Sequence, residues 1–135
     1  MKLSFAIIGC GRIANRHAEQ IKKLGTLSAV CDTDYENAFD ISQAYGANMY
    51  LSIEELLKKE PGVDVVCICT PNGLHAYHCI LSLKAGKHVF CEKPLCISSI
   101  DARHMLKAAQ DANKQLFIVK QNRYNPPVQA VKALF

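Results

Sequence analysis

The stretch Ala6-Ile-Ile-Gly-Cys-Gly-Arg-Ile-Ala-Asn-Arg-His17, AIIGCGRIANRH, decides the fold. An apolar run, Leu3 to Ile8, stops at Gly9, Gly11 follows two positions later, and a helix-forming sequence begins at once. Gly9, Gly11 and Ala14 fit G-x-G-x-x-G/A, whose physics is specific: one glycine makes the tight turn off the strand, a second lets a pyrophosphate approach the backbone, and a small third residue lets the helix lie close to the strand. The unpaired N–H groups at the helix start then face the phosphates. The motif carries weight because a strand precedes it and a helix follows. An acid is also expected at the end of the second strand, roughly 20 residues on, to accept the adenosine ribose hydroxyls. Asp32 in AVCDTD stands there. Its charge repels a 2′-phosphate, which favours NAD over NADP. Asp34 is either a second polar contact or a helix N-cap. A methyltransferase cofactor is the rival ligand for a glycine loop plus acid.

Outward from this loop, strand-like and helix-like patterns alternate. Ile13, His17, Ile21 and Leu24 recur at helical spacing, with Gly25 at the helix stop. Leu27 to Cys31 reads as a strand, Tyr35 to Tyr45 as a helix closed by Gly46, and Ala47 to Tyr50 as a short strand. Ser52 with Glu55 opens a helix that runs to about Lys59, and Pro61-Gly62 ends it. VDVVCIC, Val63 to Cys69, reads as a central strand buried on both faces. Leu74 to Lys84 is helical and closed by Gly86, His88 to Cys91 is a strand, and Ser98 with Asp101 opens a helix to about Ala112. Leu116 to Lys120 is the last strand, and Asn125 caps a final helix with Pro126 at its first position. The repetition predicts a doubly wound α/β domain, a Rossmann-type parallel sheet spanning residues 1–135. The last helix has no stop signal before Leu134-Phe135, so a truncated piece of a longer protein or a missing terminal segment is expected, against a short terminal helix that docks and frays.

The 135 residues are 50% hydrophobic and 21% charged with a net charge of +4, which suits a folded domain. Basic residues are scattered, which argues against a nucleic-acid partner. No segment is long and apolar enough for a bilayer, and no signal-peptide cleavage site follows the N-terminal apolar run. Seven cysteines without an export signal read as reduced thiols in a cytoplasmic protein. Cys67 and Cys69 alternate on one strand as core residues. His75, His78 and Cys79, or Cys91 and Cys96, lack the further ligands a tetrahedral metal site needs, so no metal is expected.

Two loops follow predicted strands and should line the crevice beyond the sheet's carboxyl edge. In TPNGLH, Thr70, Asn72 and His75 are candidate cofactor contacts; His75 is equally a helix-start residue with no ligand. In CEKPL, Glu92 and Lys93 would project toward the crevice, and a lysine there can hydrogen-bond a substrate oxygen and help shuttle its proton. From chemistry alone a surface lysine in a turn is the better explanation. Pro94 allows a cis Lys93–Pro94 bond.

GCGRIA, VCDTD, CTPNGLHAYHCILSLKAGKHVFCEKPL and VKQNRYNPPVQAVK together resemble the N-terminal domain of the Gfo/Idh/MocA oxidoreductases. Within that family GCGRIAN, TPNGLH and VKQNRYN look most like the UDP-N-acetylglucosaminuronate 3-dehydrogenase branch. The resemblance implies an NAD-dependent enzyme acting on the secondary hydroxyl of a sugar or nucleotide sugar, and a homo-oligomer. It makes Lys93 the active-site lysine and Glu92 a neighbour that helps place the lysine and the cofactor, both of them also contacting the cofactor. It gives the pyrophosphate to Gly9, Gly11, Arg12 and Ile13, the ribose to Asp32, and the cofactor's flanks to Thr70, Asn72, His75 and Gln121. Asn122 and Arg123 would meet substrate, Arg123 through its planar fork or simply as a surface cation. The resemblance also implies a second, C-terminal α/β domain for substrate binding and oligomerisation, missing from this sequence, whose Asp-x-x-x-His helix supplies the acid/base histidine; that motif is absent here. The isolated domain is therefore expected to bind NAD but to catalyse poorly or not at all. The competing readings are a non-catalytic NAD-binding regulatory module, or a relative acting on another sugar or inositol.

Overall fold

The computed structural model describes residues 2–134, with the side chain of Gln121 outside the described part. Six strands form one sheet: β1 (Leu3–Ile8), β2 (Gly25–Cys31), β3 (Asn48–Tyr50), β4 (Val65–Ile68), β5 (His88–Cys91) and β6 (Leu116–Ile118). All pairings are parallel in the order β3-β2-β1-β4-β5-β6. The order reverses between β1 and β4, so the topological switch point lies immediately beyond Ile8 and Ile68. Past that rim the ladder steps on through Gly9 N–H to Cys31 O, Cys69 N–H to Ile8 O and Glu92 N–H to Ile68 O.

The period-2 alternation of the strands splits the interior into two layers. Ile7, Val30 and Cys67 pack under α1 (Arg12–Leu24) and α2 (Tyr35–Tyr45). Ala6, Ile8, Val66, Ile68 and Val89 pack under α3 (Ile53–Lys59), α4 (His75–Lys84) and α5 (Ser99–Ala112). Most helix boundaries follow from local chemistry. The Asp34 side chain caps α2 by accepting from Glu36 and Asn37 N–H, Ser52 caps α3, and Ser98 caps α5. Gly46 and Gly86 take the left-handed conformation that ends the preceding helix.

Several expectations are corrected. The buried stripe of α1 is Ala14, Ala18 and Ile21, whereas Leu24 is exposed and His17 lies on the helix flank. Small residues win the sheet-facing positions because helix and strand approach closely. Gly25 is not a left-handed stop; it already belongs to β2, where a Cβ would lie 2.3 Å from the Leu3 carbonyl oxygen. The central strand is shorter than expected, and α4 is preceded by a 3₁₀ turn, Asn72–Leu74. A second 3₁₀ turn, Gln121–Tyr124, follows β6. Asn125 holds the N-cap position of α6 (Pro126–Lys132) with Pro126 first in the helix, but its side chain makes no capping bond; its amide donates to Asn122 Oδ1 at 3.0 Å instead. Phe135 lies outside the described residues. No helix among the described residues is long and apolar enough to cross a membrane.

Candidate functional site

The glycine loop owes its shape to two different constraints. Gly9 has φ +89°, and a Cβ there would stand 2.7 Å from the backbone of Cys69 and Thr70, so β1 and β4 can be bridged only by glycine. Gly11, the residue before α1, has ordinary backbone angles and nothing within 4 Å of where its Cβ would be. No side chain caps α1, so its first N–H groups are left for an external acceptor. The space is kept open for a group the chain does not itself supply.

Asp32 closes the other side. Its Oδ2 accepts the Cys10 N–H at 2.7 Å and its Oδ1 the Asp34 N–H at 2.9 Å. The carboxylate is thus bolted to the glycine loop, and each oxygen retains a lone pair for a vicinal diol. Cys10 and Cys31 flank it. Burial, then the Asp32 charge, pushes both thiols up to about 12, so both are neutral thiols at physiological pH. Iodoacetamide at pH 8 should leave Cys10 and Cys31 unmodified in the native protein. Stoichiometric labelling of Cys10 without unfolding would contradict this environment.

Gly9, Gly11, Asp32 and Thr70 share one cavity of about 620 Å³. Its remaining wall contains residues that the sequence motifs did not flag: Leu51, Glu54, Leu74, Tyr77 and His78. The Tyr77 hydroxyl donates to Glu54 Oε1 at 2.9 Å, and His78 Nδ1 meets Thr70 Oγ1 at 3.0 Å. Burial lowers the His78 pKa, partly offset by the Glu54 charge. Glu54 is a second acid in the wall of the cavity that holds Asp32. Leu51 was findable in principle, because it follows the third strand and loops at the strands' carboxyl ends line such crevices. Tyr77 and His78 carry no such signal.

His75 is corrected. It is 1% exposed, with Nδ1 2.6 Å from Pro94 O and Nε2 2.8 Å from Thr70 O. Neither ring nitrogen is left for a cofactor; the side chain instead ties the Thr70 loop to the Lys93–Pro94 turn, whose peptide bond is cis. Asn72 is exposed in the turn between them. Glu92 is buried, with Oε1 2.8 Å from His17 Nε2 and Oε2 accepting the Lys93 N–H at 3.2 Å. Lys93 is exposed and lines a second cavity of about 500 Å³ with Asn122 and Arg123. Ile13 lines a third groove with His17, Glu92 and Asn122, while Arg12 is exposed at the start of α1. Gln121 begins the turn after β6, its side chain outside the described part. Among the described residues, no three His, Cys, Asp or Glu side chains gather as a metal site.

The donor set fits a dinucleotide: open N–H groups at a helix start, a side-chain-free approach, and an acid at the adjacent strand end. Comparison with known proteins agrees. Myo-inositol 2-dehydrogenase from Thermotoga maritima is 30% identical over 132 residues, 96% of this chain and 40% of that protein. D-glucoside 3-dehydrogenase from Escherichia coli is 32% identical over 133 residues, 96% of this chain and 38% of that protein. The WlbA dehydrogenase from Chromobacterium violaceum, solved with NADH and UDP-GlcNAcA, superposes with a TM-score of 0.93 at 39% identity, covering 98% of this chain and 39% of that one. The chain thus spans about 40% of the length of the curated relatives it matches. Residues 3–120 match the model of the oxidoreductase family with an NAD-binding Rossmann fold. The switch-point cavity and this match over most of the chain agree, and the chain belongs to the Gfo/Idh/MocA oxidoreductase family.

Proposed function

We propose that the chain is the cofactor-binding part of a cytoplasmic NAD-dependent dehydrogenase that oxidises a secondary hydroxyl of an acidic sugar, a UDP-sugar uronate being the best fit. The observation that carries this reading is the wall of the Lys93 cavity. Its charged members are Lys93, Lys120, Arg123 and Lys132, with no acid among them. A neutral polyol gains nothing from four cations, whereas a carboxylate or a pyrophosphate does. Arg123 can take two oxygens of one anionic group. The crystallised WlbA relatives hold UDP-GlcNAcA together with NADH, which is an anionic sugar of this kind.

Gly9, Gly11, Arg12 and Ile13 would hold the pyrophosphate at the start of α1, and Asp32 the adenosine ribose. Thr70 and Asn72 would flank the cofactor on the far side of the switch point. Bound there, the nicotinamide supplies the hydride-accepting chemistry. Lys93 would hydrogen-bond the reacting sugar oxygen and, from its exposed position, relay the hydroxyl proton to solvent as the hydride leaves the carbon. Asn122 and Arg123 orient the substrate, fixing its carbon for transfer. The whole protein is read as a homo-oligomer, for which the exposed Phe117, Ile118 and Val131 offer apolar surface.

The test uses the full-length protein with NAD and three substrates: UDP-N-acetylglucosaminuronate, myo-inositol and a neutral glucoside. The uronate should give a kcat/KM at least ten-fold above either neutral compound, and equal or better turnover of inositol overturns the acidic-sugar reading. Titration should also favour NADH over NADPH by about a hundred-fold, some 2.8 kcal/mol. Asp32→Ala should close most of that gap by improving NADPH binding. Tighter NADPH binding in the unaltered protein contradicts the ribose assignment.

A further inference from the structure

His17 has no part in the glycine motif, yet it joins the two halves of the site. It sits on the flank of α1, five residues beyond Arg12, outside the sheet-facing stripe of Ala14, Ala18 and Ile21. Its Nε2 is 2.8 Å from Glu92 Oε1, across 75 residues of sequence. Both side chains are largely shielded, His17 at 15% and Glu92 at 9% exposure. The ring packs edge-on against Phe90, with centroids 6.0 Å apart, which fixes the direction of Nε2. The other Glu92 oxygen accepts the Lys93 N–H at 3.2 Å, and the Glu92 N–H is held by Ile68 O at 3.0 Å. No other side chain bonds the Glu92 carboxyl among the described residues. The pair also stands in the wall of a groove of about 400 Å³ bounded by Ile13 and Asn122, so it is not simply core filling.

We propose that His17 is a positioning residue that couples the cofactor helix to the active-site lysine. The helix that would receive the pyrophosphate at its start holds, one turn further on, the carboxyl that fixes the Lys93 backbone. Cofactor seated on α1 therefore sets where Lys93 stands, and loss of the His17 contact lets the Glu92–Lys93 turn move independently. This rests on the dehydrogenase reading above for the meaning of Lys93, but the contact chain itself does not.

The decisive comparison is His17→Asn against His17→Gln. Both are polar and compatible with the helix flank, but only glutamine places an amide nitrogen near the position of Nε2. Amide hydrogen exchange at Lys93 in the cofactor-free protein should rise about ten-fold in His17→Asn, with Ile7 and Val66 still protected, and return toward the native rate in His17→Gln. NADH should slow exchange at Lys93 in the native and glutamine proteins but not in the asparagine protein. In the full-length enzyme His17→Asn should lower kcat about ten-fold with the KM for NAD within two-fold, and His17→Gln should recover most of the loss. Equal exchange at Lys93 in all three proteins, or glutamine as impaired as asparagine, overturns the proposal. Absence of dehydrogenase turnover in the unaltered protein would instead remove the functional reading and leave the exchange comparison to decide the positioning role.

Discussion

Replacing Lys93 by alanine in the full-length protein should lower kcat about a thousand-fold while leaving NADH affinity within two-fold. The expected size follows from what a positioned proton-handling group contributes to catalysis, about 10²- to 10⁴-fold. The selectivity follows from placement. Lys93 is exposed and lines the cationic cavity with Asn122 and Arg123, whereas the cavity holding Gly9, Gly11 and Asp32 is separate. No hydrogen bond ties the Lys93 side chain to the fold among the described residues, and no ion pair includes it, so the substitution should leave the melting temperature unchanged. Lys93→Arg should rescue little: its charge remains, but a planar fork cannot put one donor where a flexible ammonium did. The checks are steady-state turnover, NADH fluorescence titration and a thermal melt on the same three proteins. Turnover of Lys93→Ala within ten-fold of the native rate would remove the lysine from the chemistry. A parallel loss of NADH affinity would make it a cofactor ligand instead.

The parts of this site that a reader of the sequence could reach are those fixed within a few residues of chain. Gly9, Gly11 and Ala14 declare a strand-turn-helix unit, and Asp32 follows from where the next strand ends. Asp34, Ser52 and Ser98 cap helices through bonds spanning two or three residues. What stayed hidden depends on which strands become neighbours. His17 meets Glu92 only because β1 pairs β4 and β4 pairs β5. His75 reaches Pro94 through the same β4–β5 adjacency. Buried Lys87 donates to Pro61 O at 2.6 Å, a contact no local pattern announces for a residue type that usually faces water. The rotation of α1 was equally hidden: an apolar period that admits Ile13 and Leu24 gave way to the alanines, because close packing rewards small side chains over large ones.

Gly9→Ala and Gly11→Ala should separate stability from cofactor binding within one loop, in opposite directions. At Gly9 the new methyl group meets Cys69 C and Thr70 N at 2.7 Å, and the φ of +89° is one that alanine resists. Both obstacles are backbone, so neither can be relieved by a rotamer change. Strain of about 1–3 kcal/mol from the dihedral adds to overpacking of similar size. A fall in melting temperature of about 10 °C or more is expected, since β1 and β4 form the centre of the sheet. At Gly11 the backbone angles suit any residue and the added Cβ meets nothing within 4 Å. Exchanging glycine for alanine before a helix costs under about 1 kcal/mol, so the melt should move by only a few degrees. The methyl group nevertheless occupies the approach to the open N–H groups of α1, where a pyrophosphate needs contact with bare backbone. NADH affinity should fall at least ten-fold, about 1.4 kcal/mol. Paired thermal melts and NADH titrations read both effects. Were Gly11→Ala to bind NADH at native strength, the space beside α1 would not be the phosphate site, whatever the family pattern suggests. Were Gly9→Ala to melt normally, the close approach of β4 to the loop would not be what demands glycine there.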